Sequence, residues 1–393
     1  MTSVYLIEGA RTPNGSFGSS LKSVTDIELG MVASKEALKR SNIPSEQIDQ
    51  VFFGNVIHTT KAASFLARHI ALYSGVPIES PALTVNRLCG SGLQSIVSAT
   101  QTIMLGEAQT ALCGGAENMS QAPHVLRNTR FGTGLKNLEM DDMLAHSLAD
   151  VYLGYGMGIT AEDLATKYEI SREEQDEFAV SSHRKAAAAR ESGRFQREIA
   201  PVEVKGKKGP IIVSEDEHIK PGTNLEKLSK LRPAFKKDGT VTAGNSSGIN
   251  DGAAAIVLAS EQYLKNHPNA KPLAKITSWG LAGVEPAIMG IGPVPASNKA
   301  LSAAGLSWND IDLVEINEAF AAQALACIKE LDLDQNKVNV NGGAVALGHP
   351  VGASGARLLY SLALELQDRQ GKYGLATLCI GGGQGISVII ERV

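Results

Sequence analysis

The stretch ALKRSNIPSEQIDQVFFGN (Ala37–Asn55) resembles ALSAAGLSWNDIDLVEINE (Ala300–Glu318). Ala37, Leu38, Ile48, Asp49 and Val51 recur as Ala300, Leu301, Ile311, Asp312 and Val314, at a constant offset of 263. The same offset carries Cys89 to Gly352 and CGSG (89–92) to GASG (352–355). Slightly further on, TALCGG (110–115) resembles TLCIGG (377–382). Two copies of one unit, at the two ends of the chain, indicate a duplication. Two copies are too few for a solenoid.

Helical and strand-like stretches alternate within the first copy. Thr2–Glu8 reads as a buried strand and Asp26–Arg40 as a helix with Asp26 at its N-cap. Val51–Val56, Ala82–Val85 and Thr110–Cys113 read as strands, and Ser64–Ser74 and Gly92–Leu105 as helices. This is α/β alternation, which implies a parallel or mixed sheet covered by helices. Between the copies the chain is richer in charge. SREEQDEFAVSSHRKAAAARESGRF (171–195) predicts a helix with Ser171 and Glu174 as a capping box. QAPHVLRNTRFGTG (121–134) and VKGKKGPIIVSEDEHIKPG (204–222) read as loops. AAAIVLAS (253–260) returns to strand. The expected division is 1–118 plus 249–271, an inserted loop domain at 119–248, and 272–393.

Composition bounds the function. The 393 residues carry 37 Lys plus Arg against 41 Asp plus Glu, a net charge of −4. That balance lacks the basic field a general nucleic-acid binder needs. No run of 18 apolar residues occurs, so no membrane-spanning helix is expected. The start, MTSVYLIEGARTP, lacks the long apolar stretch of a signal peptide, and the end, IIERV, carries no organelle address. Four cysteines are too few for a disulfide scaffold and fit a reducing compartment. A soluble cytoplasmic protein is the expectation. Forty glycines with only 5% aromatics point to tight turns and close backbone approaches.

Three positions suggest chemistry. Cys89, in LTVNRLCGSGLQSI, follows a short strand and precedes a helix, where unpaired N–H groups and the dipole favour a thiolate. The competing reading is a small buried residue at a turn. His349, in NGGAVALGHPVGASGAR, precedes Pro350, which holds it in extended backbone. It is either a surface-loop histidine or a base for Cys89, because Gly352 is the counterpart of Cys89 and packed copies would bring both turns to one cleft. Cys379, in LATLCIGGGQGIS, stands before glycines whose N–H groups, Gly381 among them, suit an oxyanion hole. Equally, it is a packed strand cysteine like Cys113. Cys113 and Cys327 read as structural. Asn317 and Glu318 close a strand in VEINEAF, where α/β folds place ligands. No GxSxG nucleophile elbow, no closely spaced histidine pair for zinc and no G-x-G-x-x-G fingerprint occurs.

Taken together, the Cys89 segment, NEAF (317–320), GHPVGASGAR (348–357) and CIGGGQG (379–385) resemble the thiolases, the acetyl-CoA acetyltransferase and 3-ketoacyl-CoA thiolase group. RTP (11–13), GGAENMS (114–120), KLRPAF (230–235) and TAGNSSGINDGAA (242–254) support the match, which covers essentially the whole chain; the chain closely resembles bacterial β-ketothiolases of biosynthetic type, broad-range ones included. The resemblance implies a duplicated five-layer αβαβα fold with an inserted loop domain. It implies Cys89 as nucleophile, His349 as its base and Cys379 as the acid/base at the acetyl-CoA methyl carbon. Asn317 through a water, with His349, would stabilise the enolate. The N–H groups of Cys89 and Gly381 would hold the tetrahedral oxyanion. Met157, Lys220, Phe235, Ala243, Ser247, Met289, Ala319 and Phe320 would line the CoA and acyl site. Plain core packing is the alternative for Phe235 and Met289.

The resemblance further implies acyl-CoA and CoA as substrates and products, no metal or redox cofactor, no nucleic-acid or membrane partner, and a homotetramer built as a dimer of dimers. Gly156, in YGMG, departs from the histidine that many relatives carry there. A carrier-protein-dependent condensing enzyme typically pairs its cysteine with two histidines, whereas Cys379 fills the third position here. A non-catalytic acyl-CoA-binding homologue should have lost a catalytic block, and all are present.

Overall fold

The computed structural model describes residues 2–393. Its first half contains β1 (Val4–Arg11), α1 (Asp26–Ser41), β2 (Gln50–Gly54), α2 (Leu66–Tyr73), β3 (Ala82–Val85), α3 (Ser91–Met104) and β4 (Thr110–Asn118). An excursion follows that carries α4 (Met157–Lys167), α5 (Arg172–Glu191), β5 (Val202–Gly206) and β6 (Gly209–Val213). The chain returns in β7 (Asn250–Ser260). The second half contains β8 (Ala274–Gly283), α6 (Pro293–Ala304), β9 (Leu313–Ile316), α7 (Ala321–Glu330), α8 (Ser354–Arg369), β10 (Tyr373–Ile380) and β11 (Gln384–Arg392).

The strands run in the order β9-β10-β11-β8-β1-β7-β4-β2-β3, with Gly15–Ser16 pairing off this path. The order contains the duplication. In the first half β2 is parallel to β3 and β4, while β7 is antiparallel to β4 and β1. In the second, β9 is parallel to β10, and β11 is antiparallel to β10 and β8. An isolated parallel bridge, Val314 to Val338, stands where β3 stands in the first copy. Among the described strands, the two halves of the sheet pair with each other through Tyr5–Lys275 and Leu6–Ala274.

Side chains on successive strand residues face opposite ways, and all eleven residues of β7 are buried. Ile256 and Leu258 turn toward a central core with Leu93 and Ile96 of α3 and Leu358 and Leu362 of α8. Ala255 and Val257 turn outward to Ile27 and Leu29 of α1 and Ile70 of α2. Leu301 of α6 and Ile328 of α7 cover the outer face of β9 and β10. The layers are therefore helix, sheet, central helix pair, sheet, helix. The expected αβαβα fold is the one observed.

The central pair explains part of the glycine content. A Cβ on Gly92 would stand 2.7 Å from the Ala356 nitrogen, and one on Gly355 would stand 2.4 Å from the Leu93 nitrogen. These two glycines are counterparts under the offset of 263. Only a bare Cα on both helices allows so close a crossing.

Several local expectations change. The N-cap of α1 is Thr25, not Asp26: the Thr25 hydroxyl accepts from Glu28 N–H in a capping box. Asp26 is instead buried, accepting from the Ile27 N–H and Thr59 hydroxyl. The strand expected at Thr110–Cys113 continues to Asn118, because β7 pairs along its whole length. Cys113 thus lies inside the strand rather than at its end. Part of the expected loop at 204–222 is the β5–β6 hairpin, and His124–Leu126 pairs with Met140–Asp142. The α5 capping box forms as expected.

Candidate active site

Three loop ends converge on one cavity of about 240 Å³. Cys89 comes from the turn between β3 and α3, His349 from the loop before α8, and Cys379 with Gly381 from the end of β10. Met157, Ser247, Met289, Ala319 and Phe320 line the same space. Asn317, which follows β9, reaches it through His349: its Nδ2 lies 3.3 Å from His349 Nε2. The lining is otherwise largely apolar, with Val56, Leu88, Leu148 and Val351 contributing.

His349 is held from three sides. Its N–H donates to Asn250 Oδ1 at 3.0 Å, and its Nδ1 lies 2.6 Å from Ser354 Oγ. The Ser354 hydroxyl has one proton and donates it to the Pro350 carbonyl at 2.9 Å. With that proton on the Pro350 carbonyl, Oγ accepts from Nδ1–H. This leaves the Nε2 lone pair facing Asn317 and the cavity. Asn317 Oδ1 is buried without a protein partner, a place suited to a bound water.

Burial dominates the protonation states. It holds His349 down to about 3, with Arg357 adding to the effect. It pushes the Cys89 thiol up to about 11, although the Gly381 N–H and the residue's own N–H pull the other way. Cys379 is raised well above the ordinary thiol range by burial and by the nearby Cys89. Burial thus opposes the thiolate that the helix N-terminus favours, and favours the neutral forms of both Cys89 and His349.

The remaining sequence candidates divide between places. Lys220 and Ala243 line a second cavity with His183, His218 and Val345. There the Lys220 N–H donates to His183 Nδ1 at 3.2 Å. Burial lowers both histidines to about 4. Phe235 is partly exposed and packs edge-on against Phe320 at 6.0 Å. Ser247 N–H donates to Ala319 O at 3.0 Å, which ties its loop to NEAF. Cys113 and Cys327 are buried away from the cavity, as their structural reading expected. Glu318 is buried and accepts from Ser182, Asn339 and the Val345 N–H, a bracing role for the segment before His349. Sequence reasoning missed Ser354, Asn250 and Val56. Ser354 lay inside the quoted GASGAR, and its distance of five residues from His349 was the available signal. Among the described residues, no cluster of three or more His, Cys, Asp or Glu side chains is placed to hold a metal ion.

A duplicated five-layer fold with a cysteine, a base-poised histidine and a second cysteine around one cavity defines an enzyme built for thiol chemistry. Comparison with known proteins gives the family. Residues 4–262 match the thiolase N-terminal domain and residues 270–392 the thiolase C-terminal domain. The mitochondrial 3-ketoacyl-CoA thiolase of Homo sapiens is 52% identical over 389 residues, covering 99% of this chain and 98% of that protein. Beta-ketothiolase BktB of Cupriavidus necator is 49% identical, covering 99% of each chain. The crystal structure of the human mitochondrial enzyme in complex with CoA superposes with a TM-score of 0.97 at 51% identity, covering 100% of this chain and 98% of that one. The chain belongs to the thiolase family and is an acyltransferase.

Proposed function

We propose that this chain condenses two acetyl-CoA to acetoacetyl-CoA and CoA, and cleaves 3-ketoacyl-CoA with CoA in the reverse direction. The carrying observation is the convergence of Cys89, His349 and Cys379 on one cavity, with His349 Nδ1 turned to Ser354 Oγ at 2.6 Å and Nε2 on the side of Asn317. In cleavage, the Cys89 sulfur attacks the 3-keto carbon while His349 Nε2 takes the thiol proton. Because burial favours the neutral thiol, proton transfer accompanies attack. The bond between C2 and C3 then breaks, and its electron pair leaves as the enolate of acetyl-CoA. Asn317, through a water, and the new Nε2–H of His349 stabilise the enolate oxygen. Cys379 donates its proton to C2.

The acyl group now resides on Cys89. CoA enters, Cys379 takes its thiol proton, and the CoA sulfur attacks the thioester. The N–H groups of Cys89 and Gly381 hold the tetrahedral oxyanion. Cys89 leaves and recovers its proton from His349. Splitting the reaction through a thioester makes it ping-pong. No metal or redox cofactor enters these steps.

The apolar walls Val56, Leu88, Leu148 and Val351 favour a broad-range 3-ketoacyl-CoA thiolase over one confined to acetoacetyl-CoA. Met289, Met157, Ala319 and Phe320 would contact the acyl chain and pantetheine. Ser247, Phe235, Ala243 and Lys220 would follow CoA outward toward the second cavity. A place in fatty-acid and lipid metabolism follows from such substrates. We also infer a homotetramer, supported by the strongly exposed Phe131 and Leu135 in the excursion and Leu83 on the edge strand β3. The division into 1–118 plus 249–271, 119–248 and 272–393 and a cytoplasmic location belong to the same reading. No helix among the described residues is long and apolar enough to cross a membrane. The direct test is acetoacetyl-CoA plus CoA with pure protein, followed by loss of the thioester enolate absorbance. Failure to form acetyl-CoA contradicts the reading.

A further inference from the structure

Glu117, at the end of β4, is fully buried next to the active-site loops. Every group that touches its carboxyl is a donor. Oε1 accepts from Ile57 N–H at 3.0 Å and Asn55 Nδ2 at 3.2 Å. Oε2 accepts from Val56 N–H and Gly352 N–H, both at 3.0 Å. Among the described residues no lysine or arginine pairs with it. Val56 and Gly352 come from opposite copies of the duplication. Val56 is itself a cavity wall, and Gly352 follows another wall, Val351. Gly352 also sits where Cys89 sits in the first copy. The turn before one helix of the central pair thus presents the reactive cysteine, and in the turn before the other the Gly352 N–H donates to a carboxyl group from the opposite half.

We propose that Glu117 is a positioning residue for acyl transfer: by binding Val56 and Gly352 together, it holds the His349 loop in register with the Cys89 loop across the seam between the copies. The proposal rests on the reading of Cys89 and His349 as the reacting pair. The physical case is the donor set. A proton on either oxygen would leave its two N–H donors facing an O–H, a loss for groups that cannot reach water. Burial is the largest influence and pushes the group up to about 8, while the Ile57, Val56 and Gly352 N–H groups pull the other way and Asp26 adds to the rise. The titratable neighbours are Asp26 on α1, bridged through Asn55, His58 in the segment after β2, and Cys89 before α3.

The test compares E117Q with N55A in the full-length enzyme. E117Q keeps the shape but turns an amide N–H₂ toward two N–H groups. The expected result is a fall of about tenfold or more in kcat, the scale set by displacing reacting groups by a fraction of an ångström, with KM for acetoacetyl-CoA little changed. Loss of a neighbouring negative charge also moves the pH profile of Cys89 alkylation by iodoacetamide to lower pH. N55A removes one donor, keeps the Gly352 tie, and is expected to lower kcat less, again without a KM change. A folded E117Q with wild-type kcat and an unmoved alkylation profile overturns the proposal. Should E117Q not fold, N55A with wild-type kcat overturns it. An acetyl label mapped in the wild-type enzyme to a residue other than Cys89 overturns the underlying reading separately.

Discussion

Ser354 Oγ lies 2.6 Å from His349 Nδ1 and 2.9 Å from Pro350 O, while His349 Nε2 lies 3.3 Å from Asn317 on the other side of the ring. The base function of His349 depends on this arrangement as much as on the imidazole itself. Ser354→Ala removes the acceptor for Nδ1–H and frees the ring to take the other tautomer. The expected outcome is a fall in kcat of about tenfold to a hundredfold, below the full worth of a general base, with a thermal midpoint close to wild type. Ser354→Thr retains the hydroxyl and should restore part of the rate. Steady-state kinetics of acetoacetyl-CoA thiolysis, with melting curves on both variants, checks this.

The two cysteines separate by half-reaction. Cys379→Ala should still accept an acetyl group on Cys89 but lose exchange of the acetyl-CoA methyl protons with deuterated water. Undiminished exchange, followed by NMR, would count against Cys379 as the acid/base.

Protonation gives a prediction with a definite sign. Burial raises the Cys89 thiol to about 11 and lowers His349 to about 3. Alkylation of Cys89 should therefore keep climbing with pH beyond the ordinary thiol value of about 8.5. His349 stays neutral, and competent as a base, as pH falls below its ordinary 6.5, and loses that form only near 3. The pH dependence of kcat/KM should then show no inflection near 6.5 from this residue. A plateau in alkylation near 8.5, or an acid limb at 6.5 that disappears with a His349 variant, would contradict the burial argument.

The helix crossing predicts a stability defect remote from the chemistry. Gly355→Ala sets a methyl group 2.4 Å from the Leu93 backbone nitrogen. Overpacking of this kind costs about 1–3 kcal/mol, and more where backbone must move. Chemical denaturation should show at least that loss.

Gly156 tests the opposite situation. It caps α4 in ordinary extended backbone, φ −77° and ψ 160°. A Cβ there meets only the Leu148 carbonyl, at 3.5 Å. Gly156→His should fold with unchanged stability and alter KM for CoA more than kcat. A large loss of stability in thermal melts would show that the space is needed.

The duplication was legible in the sequence because Gly92 and Gly355 at the central crossing leave no room for a side chain, and both stand in the matched patches CGSG and GASG. Cys89, His349 and Cys379 were legible for a related reason: each stands beside glycines that let a substrate approach backbone. What escaped was set by partners distant in sequence. Ser354 looks like any helix-start serine until the loop folds back on His349. Glu117 looks like a poor strand residue until Gly352, 235 positions away, supplies an N–H. Asp26 outranks Thr25 as a cap on composition alone, yet the carboxyl is drawn inward to Thr59 and Asn55. For Cys89 the sequence shows the helix start that favours a thiolate but not the depth of burial that opposes it.

The central claim is that Cys89 carries the acyl group. Mass spectrometry of peptides after brief incubation with acetyl-CoA, acid quench and digestion tests it most directly. The account predicts one acetyl group per chain, on the peptide containing Cys89, absent in Cys89→Ser and discharged by added CoA. A stoichiometric acetyl group on any other residue, persisting in Cys89→Ser, would contradict it.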